Sequence, residues 1–326
     1  MQIPRTGVGR GTIDQLNAIT EQLCCEYSAA PGRLRDRAQQ QLGYVRHLLS
    51  GTTRLGERRE FLVIAGWLSL LIGCLNYDLG LARPAEAARS GAFQLGRAAG
   101  HGEIVAWSFE MSAWFALNRG RLRSVLDYAD AGITAAPSAS VAVQLAAQGA
   151  KAHARMGQHN DARRALDRGF RFLAGHQHPS RPENHFVIDP TKWDCYAMDC
   201  YRVGGDNARA AEHAQQILRL SQRPDGSDRS PLRATEARLT LAVVSLRDGD
   251  IDRATDWAGM AFSADRKSVQ DLSIAAGELY REAQERFGDD PALNTLNDVI
   301  WRLAGGGRLT VDSVQRRLWM SAASRS

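Results

Sequence analysis

Cysteine and lysine are both scarce in this chain of 326 residues. Its five cysteines are odd in number, and the opening MQIPRTGVGRG has no apolar segment of signal-peptide length. This pattern argues against a disulfide framework and favours reduced thiols in a cytoplasmic protein. Of 41 basic residues only three are lysines, and the net charge is +5 without any long basic run. The composition therefore does not indicate nucleic-acid binding.

Long hydrophobic runs and catalytic motifs are also missing. The longest uncharged apolar run, FLVIAGWLSLLIGCL at 61–75, would rise only about 22 Å as a helix, whereas a bilayer core is roughly 30 Å thick. We therefore expect a buried helix and no membrane span. The sequence contains no GxSxG, no P-loop and no GxGxxG after a strand. Nothing in it points to an enzyme or to a bound cofactor.

Turn glycines recur at similar intervals in the middle of the chain. They stand 40, 37, 48 and 44 residues apart, at Gly80, Gly120, Gly157, the pair Gly204 and Gly205, and Gly249. The residues seven positions before each glycine, and five and twelve positions after it, are small or apolar, as closely crossing helices require. This register predicts five helical hairpins over residues 61–267.

The flanking segments also carry helical periodicity. We expect N-terminal capping helices at 13–60, after a disordered stretch at 1–12. A C-terminal capping helix pair is expected at 268–304, split by GDDP. The glycines at 305–307 then begin a flexible or partly helical tail at 305–326. The predicted fold is an all-α array of stacked hairpins, capped at both ends.

Five stretches together resemble a known family. In chain order they are AGWLSLLIGCLNYDLG, GHGEIVAWSFEMSAWFAL, SVAVQLAAQGAKAHARMG, HFVIDPTKWDCYAMDCYR and RSPLRATEARLTLAVVSLRDGD. They are similar to the tetratricopeptide-like C-terminal region of actinobacterial helix-turn-helix transcriptional regulators of the XRE class. The resemblance covers residues 13–300 and implies a right-handed solenoid of five degenerate tetratricopeptide-like repeats.

In that family an N-terminal helix-turn-helix binds DNA, and the helical repeats sense a ligand or a protein partner. The residues before position 13 are too few for such a domain. Either a longer protein carries it, or this protein works without one. We therefore expect no specific DNA binding by this chain alone.

In tetratricopeptide arrays the first helix of each hairpin lines the concave face. Positions thirteen, ten, six and three residues before each glycine are therefore expected to line a groove, and two of the three lysines fall there. Aromatic surface beside charges of both signs suits an extended peptide, a small polar molecule or a protein partner, although the tryptophans would equally suit the core between repeats. The expected groove residues are Trp67, Tyr77, Trp107, Glu110, Trp114, Gln144, Lys151, Lys192, Cys195, Asp199, Arg202 and Glu236.

The stretch HFVIDPTKWDCYAMDCYR at 185–202 is crowded with reactive side chains. Cys195 and Cys200 are five residues apart, about 140° around a helix, and no zinc-type spacing occurs nearby, so we predict no metal site. Asp189 is expected to cap the helix that begins near Pro190. The proline-rich segment before that helix is either a lid over the groove, carrying His185, Phe186 and Asp189, or a solvated connector.

The function expected from these features is ligand or peptide sensing, or protein interaction, as a module of a bacterial transcriptional regulator. A second reading is a stand-alone enzyme or accessory protein of specialised metabolism that uses the same groove as its active site. A third is scaffolding through the convex face or the tail. The oligomeric state stays open, with a homodimer among the options.

Overall fold

A computed structural model describes residues 10–51, 54–263, 269–288 and 290–303. Within these ranges the chain folds into fourteen α-helices, and the only extended pairing is an isolated bridge between Gln222 and Asp228. The all-α prediction is confirmed. Helix α1 already begins at Arg10, which corrects the predicted disorder at 10–12. The predicted tail at 305–326 lies outside the described residues.

The helices follow one another with short connections. The first two are α1 (Arg10–Cys25) and α2 (Pro31–Ser50). Five hairpins follow: α3 (Leu55–Asp78) with α4 (Ala82–Ala99), α5 (Gly102–Asn118) with α6 (Leu122–Ala135), α7 (Val141–Arg155) with α8 (His159–Ala174), α9 (Pro190–Val203) with α10 (Asn207–Ser221), and α11 (Pro231–Arg247) with α12 (Ile251–Phe262). The last pair is α13 (Val269–Phe287) and α14 (Ala292–Leu303).

The turn glycines close all five hairpins in the same way. In each turn the residue after the glycine donates its backbone N–H to the carbonyl five positions earlier, at 2.8–2.9 Å. This closure requires a left-handed residue, which costs any residue with a Cβ about 1–2 kcal/mol and costs glycine little. The φ angles are 76°, 69°, 73°, 80° and 85° at Gly80, Gly120, Gly157, Gly205 and Gly249. The predicted turn positions are confirmed.

Small residues allow the two helices of a hairpin, and neighbouring hairpins, to cross closely. A Cβ on Gly73 would lie 2.6 Å from Met111 Cε, and one on Gly169 would lie 2.6 Å from Trp193 Cζ3. Distances this short do not occur between real side chains, so a Cβ would force a neighbour to move. The flexible end of Met111 can shift more readily than the Trp193 ring, so Gly169 is the more restricted position. Alanines at the equivalent register positions are fully buried, namely Ala85, Ala113, Ala150, Ala210, Ala242 and Ala254.

Helix α3 is the longest helix among the described residues and is largely apolar. It begins at Leu55, before the apolar run itself, and its 24 residues make it long enough by length and composition to cross a membrane. However, 78% of its apolar window is buried inside the protein, against α1, α2, α4 and α5. The apolar run at 61–75 therefore forms part of the core, as predicted.

The hairpin array is closed by two long-range connections. Helix α13 packs against α11 and also touches α3 and α5. The segment between α8 and α9, residues 175–189, crosses to the N-terminal pair, where the His185 N–H donates to the Cys24 carbonyl at 3.1 Å. The first helices of the five hairpins, α3, α5, α7, α9 and α11, consequently surround a shared interior.

Candidate functional site

The shared interior holds a cavity of about 940 Å³. Its walls come from the first helices of all five hairpins, together with the 175–189 loop and the connection between α10 and α11. Cavities of roughly 300–1,000 Å³ are typical of sites that take small molecules. The fold thus places one pocket of ligand size where the concave groove was predicted.

Nine of the twelve predicted groove residues line this cavity. They are Glu110, Trp114, Gln144, Lys151, Lys192, Cys195, Asp199, Arg202 and Glu236. Of the predicted lid residues, His185 and Asp189 also line it. The glycine-based register therefore brings most of the singled-out side chains together on one interior surface.

Three predicted groove residues do not line the cavity but pack in the core. Trp67 and Trp107 lie on two sides of Phe186, with ring centroids 5.3 and 5.2 Å from its ring. Tyr77 is 2% exposed and stacks on Phe115 at 4.1 Å. These three side chains follow the alternative interpretation, in which aromatic rings fill the core between neighbouring hairpins. Phe186 is buried between the tryptophans and anchors the 175–189 loop.

Asp199 is the centre of a buried ion cluster. Its two carboxylate oxygens accept hydrogen bonds from the Arg155 guanidinium at 2.8 and 3.1 Å, and Oδ1 also accepts from Arg202 at 2.5 Å. Burial alone would raise the pKa of Asp199, but the charges of Arg155, Lys151 and Arg202 outweigh it and hold the pKa well below its usual range. Asp199 is therefore ionised at neutral pH.

Arg202 extends this cluster across four helices. Its Nη2 lies 3.2 Å from Glu278 Oε2 on α13, and its Nη1 lies 3.5 Å from Thr240 Oγ1 on α11. Because Arg155 is on α7 and Arg202 on α9, the cluster joins α7, α9, α11 and α13. Removing one member of a buried ion cluster leaves an uncompensated charge, so these residues hold the walls in place.

Lys192 fastens the 175–189 loop to α9. Its Nζ donates to the backbone carbonyls of Asn184 at 3.2 Å, of His185 at 2.8 Å and of Val187. Burial, together with the nearby positive charge of Arg233, lowers the pKa of Lys192 to about 7. All three donors of the ammonium are thus engaged within the protein, although the side chain borders the cavity.

Asp189 secures the end of the same loop. Its Oδ1 accepts the Lys192 backbone N–H at 3.2 Å, which confirms the predicted cap at the start of α9. Its Oδ2 lies 3.1 Å from Arg233 Nη2 on α11. Four residues earlier in the loop, the His185 ring stacks on Tyr27 with centroids 3.6 Å apart. The C-terminal part of the loop is therefore tied to α9, to α11 and to the segment after α1.

Glu110 forms an acidic site on the opposite wall. The side chain is 3% exposed, and its Oε1 accepts hydrogen bonds from Gln144 Nε2 and Gln148 Nε2, both at 2.8 Å. Burial raises the pKa of Glu110, and the two amide hydrogen bonds oppose that shift. Gln148 is itself buried, and its Oε1 has no hydrogen-bond partner among the described residues.

Lys151 follows Gln148 along the same face of α7. Its Nζ lies 3.7 Å from Asp199 Oδ2 and 5.3 Å from the centre of the Tyr196 ring, and it makes no hydrogen bond to any described residue. Burial would lower the pKa of Lys151, but the charges of Asp199 and Glu236 outweigh it and raise the pKa. Lys151 is therefore a cation at neutral pH, with donors facing no fixed acceptor.

Five of the cavity residues whose contacts are described above were not singled out from the sequence. Four of them lie one helical turn from residues that the sequence did single out. A search over neighbours three and four positions away would therefore have found them. They are Gln148 and Arg155 on α7, Tyr196 on α9 and Arg233 on α11. Tyr27 follows α1 and reaches the cavity only through the tertiary fold, which leaves no signal in the local sequence.

The cysteines of the crowded stretch are buried neutral thiols. Burial raises the pKa of Cys195 and of Cys200 to about 12 in each case. Cys195 packs with α10 and α11, whereas Cys200 packs with the larger core. Across the described ranges no group of three or more His, Cys, Asp or Glu side chains is arranged to hold a metal ion. What the cavity offers is a set of recognition groups.

The comparisons with known proteins assign no family to this chain. No protein-family model matches it, and no curated protein matches it either. Its function has to be inferred from the cavity and its side chains.

Proposed function

We propose that this chain is a ligand-sensing module, built as a right-handed solenoid of five tetratricopeptide-like repeats with capping helices at both ends. The shared left-handed turn glycines and the small residues at the crossing positions support the repeat assignment. The first helices of the five hairpins also face one interior, which is the side that such arrays use to bind partners. This arrangement further supports the repeat assignment.

The observation that carries the proposal is a cavity of about 940 Å³ with charged and amide side chains in its walls. Burying charged and amide side chains is unfavourable unless each is paired, and a purely structural array would fill this space with apolar residues. Here the walls instead carry Glu110, Lys151 and Asp199. Such convergent polar groups in a preformed cavity are the usual features of a small-molecule site.

A small molecule fits this cavity better than an extended peptide or a protein partner does. The 175–189 loop crosses the concave face and is fixed at Cys24, on the far side. A long peptide would have to displace that loop. The family resemblance in the sequence supports a role in a cytoplasmic bacterial transcriptional regulator.

An enzyme of specialised metabolism is the second candidate, and Lys192 is the residue that favours it. A lysine whose pKa is lowered to about 7 beside a cavity resembles a catalytic amine. The three carbonyls that accept from its Nζ argue for an anchoring role instead. Ligand sensing therefore remains the better-supported function.

Native mass spectrometry tests the sensing proposal. The purified chain is incubated with a low-molecular-mass extract of bacterial cells and desalted, and the mass of any bound molecule is read. We expect a one-to-one complex that Lys151→Met loses and Arg163→Met keeps, since Arg163 is exposed on α8 and does not line the cavity. A complex retained equally by both variants, or no complex in any extract, would contradict the proposal.

A further inference from the structure

The wall formed by α5 and α7 carries acceptors that the protein does not use. Glu110 Oε1 already accepts two amide hydrogen bonds, whereas no described residue donates to its Oε2. Gln148 Oε1 is buried and lacks a donor among the described side chains. A buried acceptor without a partner is unfavourable by about 1–3 kcal/mol, so each such atom in a native fold calls for an explanation. Gln148 Oε1 is one such atom, and together with Glu110 Oε2 it forms an acceptor site beside the cavity.

The same wall carries an unused cation one helical turn away. Asp199 is satisfied by Arg155 and Arg202, which leaves the Lys151 ammonium at 3.7 Å without a hydrogen bond to the described residues. The Tyr196 ring beneath it, at 5.3 Å, fixes its position without using its donors. Lys151 is therefore a donor site that faces the cavity.

We propose that the cavity binds a small zwitterion, whose ammonium group donates to Glu110 and Gln148 and whose carboxylate accepts from Lys151. This assignment rests on the proposed sensing function and names its ligand class. A ligand ammonium beside Glu110 would donate to the carboxylate oxygen that the two glutamines leave unused, and a ligand carboxylate at Lys151 would accept from the Lys151 ammonium.

Helix geometry limits the length of such a ligand. Gln148 and Lys151 are three residues apart on α7, so their side chains are neighbours on one face and their backbones differ by about 4.5 Å along the axis. The amine and the carboxylate of the ligand are consequently separated by only a few bonds. Amino acids, ω-amino acids and dipeptides meet this requirement, whereas long peptides do not.

The test uses a length series on the unmodified chain. Isothermal titration calorimetry measures binding of glycine, its ω-amino acid homologues up to 6-aminohexanoate, and glycylglycine. The alkylamine and the alkanoate of matched length are titrated beside each one. We expect at least one zwitterion to bind about tenfold or more tightly than both of its single-charge analogues, because each lost charge-assisted hydrogen bond is worth about that factor.

Two variants assign the two ends of the ligand. Lys151→Met should reduce binding of the best zwitterion about tenfold, to the level of the matched amine. Glu110→Gln should reduce it to the level of the matched carboxylate. Arg163→Met and Glu86→Gln are the matched controls, because both residues are absent from the cavity wall, and both should bind as the unmodified chain does. Circular dichroism melts establish that each variant is folded.

The zwitterion assignment is wrong if no member of the series binds at millimolar concentration. It is equally wrong if an amine or a carboxylate alone binds as tightly as the zwitterion, or if Glu110→Gln leaves the best binder unaffected. A ligand found in the cell extract and lost in Lys151→Met, together with no binding in the series, would leave the sensing proposal standing and remove only this assignment.

Discussion

Asp199 shows at the scale of a single residue how the cavity wall is held together. Asp199 is 8% exposed, and its carboxylate accepts hydrogen bonds from arginines on two helices. Ion clusters of this kind contribute less to stability than their short distances suggest, because both charges lose their hydration. Their loss is nevertheless costly, since the remaining partner stays buried and unpaired. The geometry of the wall thus depends on every member being present.

We expect Asp199→Asn to lower the free energy of unfolding by about 3–5 kcal/mol, the usual effect of breaking a buried ion pair. Asp130→Asn is the matched control. The Asp130 side chain is 76% exposed, so its replacement should change stability by no more than about 0.5 kcal/mol. Urea denaturation followed by circular dichroism measures both. Equal effects of the two variants would show that the cluster is not a source of stability.

The difference in stability between the original chain and Asp199→Asn should depend on pH. The pKa of Asp199 is lower in the folded than in the unfolded chain, so its stabilising contribution is full above the unfolded value of about 3.9 and is lost as the pH falls below it. The gap in stability between the original chain and Asp199→Asn should therefore stay constant from pH 7 to 5. It should narrow below about pH 4.

At the scale of elements, the turns could be predicted from sequence because their signal is local. Each hairpin turn needs a left-handed residue, and glycine supplies it at little cost, so the glycines and the small residues in register mark the crossings. The cap of α9 at Asp189 was predictable for the same reason. These features depend on residues a few positions apart.

The positions of the aromatic side chains could not be predicted in this way. Trp67 and Trp107 occupy groove positions in the register, yet Phe186 from a distant loop lies between them and completes a core. Tyr27 reaches the cavity from outside the repeats. The packing of the two tryptophans and the position of Tyr27 both depend on where the 175–189 loop crosses the molecule. The spacing of residues within one hairpin does not determine the course of that loop.

A pair of glycine substitutions tests the origin of the turns. Gly120 has a φ of 69°, so Gly120→Ala should destabilise the chain by about 1–2 kcal/mol. Gly43 lies inside α2, and a Cβ there would meet no atom within 4 Å. Gly43→Ala should therefore stabilise the chain, by about 0.5–1 kcal/mol. Thermal melts that gave the same sign for both substitutions would show that backbone conformation is not the deciding factor.

At the scale of the whole molecule, the 175–189 loop connects parts that a simple array would keep apart. Lys192 holds the loop through three backbone carbonyls, and Arg181 Nη2 donates to Gln22 Oε1 at 3.0 Å on α1. The cavity owes its closed side to these contacts.

Replacing Lys192 should release the loop without unfolding the helices. In Lys192→Met the amide of His185, which donates to Cys24, should exchange its hydrogen about tenfold or more faster, since three hydrogen bonds to the loop are lost and each is worth about 0.5–1.5 kcal/mol. Hydrogen exchange with mass spectrometry measures this, with Arg163→Met as control. Unchanged exchange at 184–187 would mean that the other contacts of the loop anchor it without Lys192.

The bond between Arg181 and Gln22 joins residues 159 positions apart, whereas contacts in a repeat array normally stay within one or two repeats. Such arrays can lose their terminal units one at a time, because stability is nearly a sum over neighbours. Here the first helix is bound to the loop between the third and fourth hairpins, so fraying of the end also breaks a contact with the middle of the chain. We expect the chain to unfold in fewer, more cooperative steps than an open array of equal length. The high sequence separation of this contact also places its formation late in folding, after the helices between the two ends have stacked.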